Sequence, residues 1–530
     1  MIRYEKTIRI VILSTFILLI CGVLRLSSLA QRPMHTDEAV HAIKFGALLE
    51  ENKYQYDPVE YHGPTLNYFT LIPAWLISAR TLSDLSEPVL RIVPAFFGIC
   101  LILILILLRG AMSLPVLGFA ALFTAVSPAM VYYSRYYIQE MLLVFFTFGV
   151  IVCGYRYLKS RHPAWIVGTG ILLGLMHATK ETGIIALGAM LSALLLPALL
   201  SRIRKGKKRS TGFRLNPWHL VAGAGTALAV SALFYSSFLT HPRGILDSFL
   251  TFKNYFQKAG HHQWHSHPWY YYFKLLLGFH GGGGFFRNEA FILFLSGAGV
   301  YAAYKRPSDG PGNADFLRFL TRYALILMII YCLIPYKTPW SMLGFYHGLI
   351  LLAGAGAVFL FSAVKKRVRP VFIALVIGGT VHLLYLSWIS GFRDAADPVN
   401  PYVYAHTSRD IHSLVNAVDE AARIHPDGNE MPVEVICPGH DYWPLPWYLR
   451  SYRRVGWYDR VSFKTPPAPL IIASPRLEPD LVRKLYELPP PGEKNLYLPF
   501  FRVPVEIRPG IEIRCYIIKD LWDRLSEKTP

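Results

Sequence analysis

Charge is scarce in this chain. Of its 530 residues only 17% are Asp, Glu, Lys or Arg, against about 25% in soluble domains. Acidic residues are scarcer still, 34 against 54 Lys and Arg. The six cysteines (Cys21, Cys100, Cys153, Cys332, Cys437 and Cys515) form no CxxC pair and no metal-binding spacing, which argues against a zinc-ribbon or thioredoxin-like chemistry. Four lie in or beside apolar segments and read as packing residues; Cys437 and Cys515, both in the polar C-terminal part, leave a disulfide open. No Lys-Ser or Lys-Thr follows the run Gly281–Gly284, so it is not a phosphate-cradling P-loop and reads as a hinge. Internal repeats are absent. No small-residue cleavage site follows the apolar stretch in residues 1–20, which therefore reads as an uncleaved first span.

What is present is apolar: 53% hydrophobic and 14% aromatic residues, gathered in blocks near 20 residues, the length that crosses ~30 Å of hydrocarbon. Eleven spans are expected, at 8–30, 88–109, 112–134, 140–158, 164–178, 182–201, 217–238, 288–304, 316–335, 340–362 and 370–390. The net charge of +20 would suggest nucleic acid in a soluble protein. Here the basic residues cluster between spans: Arg3, Lys6 and Arg9; Arg156, Lys159 and Arg161; Arg202 to Arg209; Lys305 and Arg306; Lys365 to Arg369. With eleven spans all five clusters fall on one side, the cytoplasm, so the charge is topogenic and no nucleic-acid partner is implied. That count requires residues 64–80, Pro-interrupted and about as short as a span can be, to form a juxtamembrane or re-entrant helix.

This topology sends the unusual residues outward. The first outer loop carries Asp37, Glu38, Glu60, His62 and Arg91; the second Arg135 and Glu140; the third Lys180 and Glu181; the fourth the tract His261–His267; the fifth Lys337. Residues 1–390 form the membrane domain. From Gly391 the hydropathy drops, and 391–530 reads as a small extracytoplasmic α/β domain. It has strands at Val433–Cys437 and Leu470–Ala473, further strands near 495–506 and 511–518, and an amphipathic helix Ser408–Ile424 capped by Ser408.

Asp37-Glu38 is the sharpest feature. Adjacent carboxylates beside lipid are costly and mark a site; one could be a general base within reach of an acceptor hydroxyl. The bland alternative is an acidic N-terminus of the helix Ala39–Glu50, with Thr36 or Asp37 as cap. Arg91, Arg135 and Lys180 are outward cations at span ends, against the positive-inside trend, and suit a lipid-linked phosphate. For Lys180 the alternatives are pairing with Glu181 or snorkelling. Glu140 either shares a divalent metal with Asp37 or pairs locally with Arg135. The histidine tract fits no zinc spacing and reads equally as an aromatic interfacial loop. Lys337 and the run Tyr442–Tyr448 lie among aromatics that suit sugar rings, or serve as an interfacial belt or tail-domain packing.

The order of these motifs resembles the GT-C superfamily of membrane glycosyltransferases. Asp37-Glu38 is similar to its first-loop acidic motif. Tyr61-His62-Gly63-Pro64 resembles the Pro-rich segment of protein mannosyltransferases and aminoarabinose transferases, although Glu60-Tyr61-His62 stands where the latter have a Glu-Lys-Pro-Pro type sequence. Arg91-Ile92-Val93-Pro94, Ser127-Pro128, Ser134-Arg135, Glu140 and Thr179-Lys180 resemble further motifs of the superfamily. His35 to His41, Ala178-Thr179-Lys180-Glu181-Thr182 and Tyr336-Lys337-Thr338-Pro339-Trp340 resemble a flippase-activity-associated subgroup linked to N-glycosylation. The resemblance implies an inner- or cell-membrane enzyme taking a sugar from a polyprenyl-phosphate donor to a glycan, lipid or protein hydroxyl, inverting the anomeric carbon. Asp37 or Glu38 would be the base and Arg91, Arg135 and Lys180 the phosphate ligands. Glu60, His62, Glu140 and Lys337 would be substrate contacts, with no cofactor required and a divalent metal at Asp37 and Glu140 compatible. The rival readings are a non-catalytic carrier of polyprenyl-linked glycans, which would keep the cations without the carboxylates, and a secondary transporter, disfavoured because the polar residues line outer loops and not mid-membrane breaks.

Overall fold

A computed structural model describes residues 2–59, 62–205, 216–258, 265–278, 287–305, 311–490, 492 and 494–528. Glu60, His261–Trp264, Gly281–Gly284 and the basic residues Lys207, Lys208, Arg209 and Arg306 lie outside them. The chain forms two compact units. The first comprises Met1–Leu29, Glu51–Ser78 and Pro88–Tyr404; the second comprises Ala30–Glu50, Ala79–Glu87 and Ala405–Pro530.

The first unit is helical. It contains α1 (Ile2–Leu26), and after α2 (Thr36–Glu51), whose body belongs to the second unit, α3 (Thr65–Leu76) and α4 (Glu87–Leu103). Then come α5 (Leu114–Val126), α6 (Pro128–Ser134), α7 (Glu140–Ser160), α8 (Pro163–His177), α9 (Gly183–Lys205) and α10 (Pro217–Tyr235). The rest are α11 (Arg243–Lys258), α12 (Tyr271–Leu277), α13 (Ala290–Lys305), α14 (Ala314–Leu333), α15 (Leu343–Ala363) and α16 (Arg369–Trp388). Among the described residues seven helices are long and apolar enough to cross a membrane, and the bent pair α5–α6 makes eight. Three of the expected spans are shorter apolar helices, Pro163–His177, Gly183–Pro197 and Ala290–Lys305. The lipid-compatible surface is explicit on α1, where Val11, Ile12, Leu13, Phe16 and Leu19 are exposed. This is an integral membrane protein. Residues 64–80 contain only the 12-residue α3, about 18 Å long and too short to cross ~30 Å.

Two local rules shape the bundle. Gly299 of α13 and Gly356 of α15 let their helices touch: a Cβ on Gly299 would stand 2.0 Å from Leu352 O, and one on Gly356 1.9 Å from Leu295 O, so only glycine permits this crossing. The expected span 112–134 bends by 58° between α5 and α6 because Ser127 precedes Pro128 and takes extended dihedrals (φ −67°, ψ 122°). Pro128 lacks the N–H that would reach Thr124 O. Arg25 replaces it, donating Nη2 to Thr124 O (2.8 Å) and Nη1 to Ala125 O (3.0 Å), while Ser387 Oγ donates to Val126 O (2.7 Å). The amide of Ala129 donates to Glu289 Oε1 (2.9 Å), and Ser127, Tyr346 and Tyr402 hydroxyls complete that carboxylate's shell. The break's carbonyls of Thr124, Ala125 and Val126 and the amide of Ala129 are thus all paired, as a hydrocarbon setting demands.

The second unit carries a six-stranded sheet: β1 (Val433–Ile436), β2 (Val455–Tyr458), β3 (Leu470–Ala473), β4 (Tyr497–Pro499), β5 (Val505–Arg508) and β6 (Ile511–Ile518). The order is β2-β1-β3-β6-β4, with β5 on β6; β1 pairs parallel with β2 and β3, and β6 pairs antiparallel with β3, β4 and β5. Alternation splits β3: Leu470 and Ile472 pack with Ile411, Leu414 and Val418 of α17 (Ile411–Ile424), whereas Ile471 and Ala473 pack with Leu481 and Leu485. Burial on both faces explains why β3 reads as an unbroken apolar run; in β1 the one charged residue, the buried Glu434, is paired with Lys484 at 2.7 Å.

Several expectations shift. The domain break falls after Tyr404, not after 390, because 391–404 folds back on the first unit through Arg287–Asp394 (2.7 Å), Tyr132 to Ala395 O (2.8 Å) and Tyr402 to Glu289. Residues 30–50 and 79–87 join the tail domain. Met34 N donates to Tyr448 (2.8 Å), Thr407 donates to Met34 O (2.6 Å) and Trp447 donates to Glu87 (2.9 Å). Trp447 and Tyr448 are therefore packing residues of that unit. Ser408 does not cap a helix from 408: it accepts from Asp410 N (3.2 Å) in a turn, and the helix starts at Ile411. Cys437 and Cys515 are buried as separate thiols.

Candidate functional site

In the first unit, two sequence-distant segments clamp each other. Thr65 N donates to Ala178 O (3.2 Å) and Thr65 Oγ1 to Thr179 Oγ1 (2.8 Å). Gly63 lies so close that a Cβ there would stand 2.2 Å from Ala178 O, which is why this position tolerates only glycine. The clamp fixes the turn between α8 and α9, and with it Lys180 and Glu181.

Lys180 pairs with Glu140, the first residue of α7. Neither alternative from the sequence holds: Glu140 does not bind Arg135, and Lys180's ion-pair partner is not Glu181. Burial opposes the charge on Lys180, but Glu140 outweighs it and raises the ammonium above its ordinary range. The pair lines a cavity of about 30 Å³ together with Thr147, Thr182, Tyr331, Trp340 and Ser341. Glu181 faces the clamp's other segment. It stands 2.9 Å from His62 Nδ1 and accepts Tyr56 OH at 2.9 Å. Burial alone would raise its carboxyl, but His62 and the hydrogen bonds hold it at about 2. A carboxylate only accepts, so the proton sits on His62 Nδ1.

The other two expected phosphate ligands are placed differently. Arg91, fully buried, donates Nη1 to Leu29 O (2.6 Å). Arg135 donates to Leu24 O (3.0 Å), Ser27 O (2.6 Å) and Ser28 O (3.2 Å) and stacks over Phe392 at 4.3 Å. Both bind the chain where α1 ends, whose last carbonyls carry the negative end of the helix dipole. Neither lines the Lys180 cavity. Lys337 is buried and donates Nζ to His267 O (2.9 Å) and to Ile334 O; burial lowers its ammonium's pKa. His265 and His267 both meet the Tyr404 hydroxyl, at 2.5 and 3.4 Å. Among the described residues no group of three or more His, Cys, Asp or Glu gathers as a metal site.

Asp37 and Glu38 belong to the second unit and part ways there. Glu38 is buried, accepts Arg32 Nη2 (2.9 Å) and returns to the amide of His35 (3.0 Å), the backward half of a capping box. The cap is His35, not Thr36 or Asp37: its Nδ1 accepts the amide of Asp37 (3.0 Å). Asp37 keeps 45% of its side chain exposed. Its charge also reaches Arg508, which is bound to Asp441 at 3.1 Å.

Sequence reasoning missed Arg25, Tyr56 and the pairing of His62 with Glu181. The only advance signal for Arg25 was a charge inside the first apolar block; nothing local marks the other two.

Comparison with known proteins bears on the fold. Residues 69–213 match the family described as Dolichyl-phosphate-mannose-protein mannosyltransferase. Among solved structures, ArnT from Cupriavidus metallidurans bound to undecaprenyl phosphate superposes with a TM-score of 0.62 at 15% identity, over 95% of this chain and 97% of that one. The archaeal oligosaccharyltransferase AglB from Archaeoglobus fulgidus, in complex with an inhibitory peptide and a dolichol-phosphate, gives 0.54 at 13% identity, over 89% and 70%. No curated protein sequence matches significantly. These likenesses establish the fold.

Proposed function

We propose that this GT-C-fold membrane protein moves a sugar from a polyprenyl-phosphate donor to an acceptor hydroxyl at the outer face of the membrane, inverting the anomeric carbon. The observation that carries the reading is the buried Lys180–Glu140 pair lining a cavity, in a fold shared with proteins whose structures hold undecaprenyl phosphate and dolichol-phosphate. Lys180 is the candidate ligand of the donor phosphate. Glu140 keeps the Lys180 ammonium charged, and that ammonium exchanges the carboxylate for a phosphate oxygen when the donor binds. Arg91 and Arg135, engaged by carbonyls, support the frame. Asp37 is the candidate base, because Glu38 is already held by Arg32 and the His35 amide while Asp37 remains accessible. The acceptor, a glycan, lipid or protein, loses its proton to that base as the donor's C–O bond breaks toward phosphate. Lys337 and His62 are further candidate substrate contacts.

The test is transfer by the reconstituted full chain supplied with polyprenyl-phosphate sugars. Asp37→Asn is expected to lower transfer by roughly 10²–10⁴-fold, the usual worth of a positioned base, without weakening the fold. If Asp37→Asn and Glu38→Gln together leave transfer intact, the catalytic reading is wrong. A cysteine placed at the exposed Ser526 and probed with an impermeant thiol reagent tests the orientation.

A further inference from the structure

Trp447 and Tyr448 pack the second unit, but the two aromatics that open the run Tyr442–Tyr448 are placed differently, and the sheet topology sets where. The chain passes from β1 to β2 on one side, then crosses to β3 on the other side of β1, all three parallel. The carboxyl ends of β1 and β3 therefore flank a switch in strand order, the position at which open α/β sheets bind ligands. The loop leaving β1 at that end carries His440, Asp441, Tyr442 and Trp443, and Trp457 lies near the carboxyl end of β2. Arg508 ends β5 at the same edge: it opposes Ile511 at the start of β6, whose Arg514 opposes Ala473 at the end of β3.

Tyr442 is the centre of this group. Its ring lies 4.9 Å from Trp457 and 6.1 Å from Trp443, and its hydroxyl meets His440 Nδ1 at 2.9 Å. All three rings are half-buried. Tyr442 and Trp457 rest partly on the core of the sheet, but among the described residues Trp443 belongs to neither core cluster. Beside the rings stands a charged pair. Arg508 Nη2 donates to Asp441 Oδ1 (3.1 Å) and Asp441 O (3.3 Å), and its Nε has no partner among the described residues. This combination matches a sugar ring, whose C–H faces stack on aromatics while its hydroxyls both donate to a carboxylate and accept from a guanidinium. An acyl chain has nothing to offer the charged pair.

Asp37 belongs to the same unit. Thr407 Oγ1 donates to Met34 O (2.6 Å), Ser408 N donates to Ile507 O (2.8 Å) and Arg508 binds Asp441. These successive contacts tie the start of α2 to the aromatic loop, and the charge of Asp37 acts on Arg508. We infer that Tyr442, Trp443 and Trp457, with the Arg508–Asp441 pair, bind the sugar rings of a glycan. Resting on the function proposed above, that glycan is the acceptor, held on the unit that carries the base Asp37.

The experiment applies the full chain in lipid nanodiscs to an array of defined oligosaccharides and unglycosylated peptides, then measures the Kd of the best-bound oligosaccharide. Trp443→Ala is expected to bind it about tenfold more weakly, the upper worth of one stacked ring. Trp443→Phe keeps a ring and should stay within about threefold of the parent. With the same oligosaccharide as acceptor in the transfer assay, Trp443→Ala should raise the acceptor KM more than it lowers kcat, whereas Asp37→Asn should lower kcat and leave the glycan Kd unchanged. A parent that retains no oligosaccharide, or retains peptides instead, overturns the inference and leaves the donor reading standing. So does a Trp443→Ala variant that binds as the parent does, or a Trp443→Phe variant that binds as poorly as Trp443→Ala. Glycan binding with the expected pattern, but no transfer from any polyprenyl-phosphate sugar, upholds the glycan site and overturns the donor reading.

Discussion

The end of α1 and the Lys180 clamp both hold buried cations beside the membrane, yet they bind different things. At the first, Arg91 and Arg135 donate to neutral backbone carbonyls of residues 24–29, and Arg25 does the same for α5. At the second, Lys180 and His62 each face a carboxylate. A carbonyl freed by a helix end or a proline has no other donor in hydrocarbon, so the arginine fork is committed to it. A carboxylate-bound ammonium is a point charge that exchanges partners. On the function proposed above, the difference separates arginines that hold the fold from a lysine offered to the donor phosphate.

Arg25→Met should be the most damaging way to test that division. It strands the carbonyls of Thr124 and Ala125 at the α5–α6 break, and two charge-assisted bonds of this kind are worth about 4 kcal/mol together. Thermal unfolding of the purified protein should show a large loss of stability. A variant as stable as the parent would mean the bend does not depend on this side chain.

Lys180→Met comes next. Breaking a buried pair costs about 3 kcal/mol because the surviving charge is stranded. The informative variant is Lys180→Met with Glu140→Leu, which removes both charges. It should recover most of the stability and none of the undecaprenyl phosphate binding. Recovery of both would put Lys180 in the same class as the arginines.

The fold was legible because its signals are local and repeated. Apolar blocks placed every expected span on an apolar helix, and β-branched runs placed β3 and β6 at the residues expected. The break at Ser127-Pro128 could have been read from the proline alone; the apolar run around it hid the signal. The tail domain's claim on residues 30–50 was not legible, since it rests on contacts such as Thr407 to Met34 O, 373 residues apart. For the site, residue type was legible and partner was not. A cation at a span end serves a phosphate or a helix C-terminus equally well, and only distance in space chose carbonyls for Arg135 and Glu140 for Lys180. Asp37-Glu38 read as one pair, but three-residue spacing from His35 commits Glu38 to the cap and leaves Asp37 accessible.

The carboxylate side of the clamp has a pH signature. The Glu181 carboxyl is held at about 2 from an ordinary 4.5. A depressed carboxyl stabilises fully above its ordinary value and loses that contribution as pH falls toward the depressed one. Stability should therefore fall by roughly 2–3 kcal/mol between about pH 4.5 and 2, and Glu181→Gln should flatten that part of the profile. An unchanged slope in the variant would mean other groups carry it.

The smallest effect concerns the join that makes the clamp one object. Gly63→Ala sets a methyl 2.2 Å from Ala178 O, and backbone on both sides limits relief. Overpacking of this kind costs about 1–2 kcal/mol, but the displacement falls on His62 and on the turn carrying Lys180, not on α1. Undecaprenyl phosphate binding should weaken more than that stability loss alone explains, and the Lys180→Met background should show no further loss of binding. The arginine end supplies the control. A mild change there, Ser28→Ala, leaves the Ser28 carbonyl in place for Arg135 and should alter neither stability nor binding measurably. If Gly63→Ala binds as the parent does while losing stability, the two segments pack together without sharing a ligand, and the contrast between frame and site would have to be redrawn with Lys180 alone on the site's side.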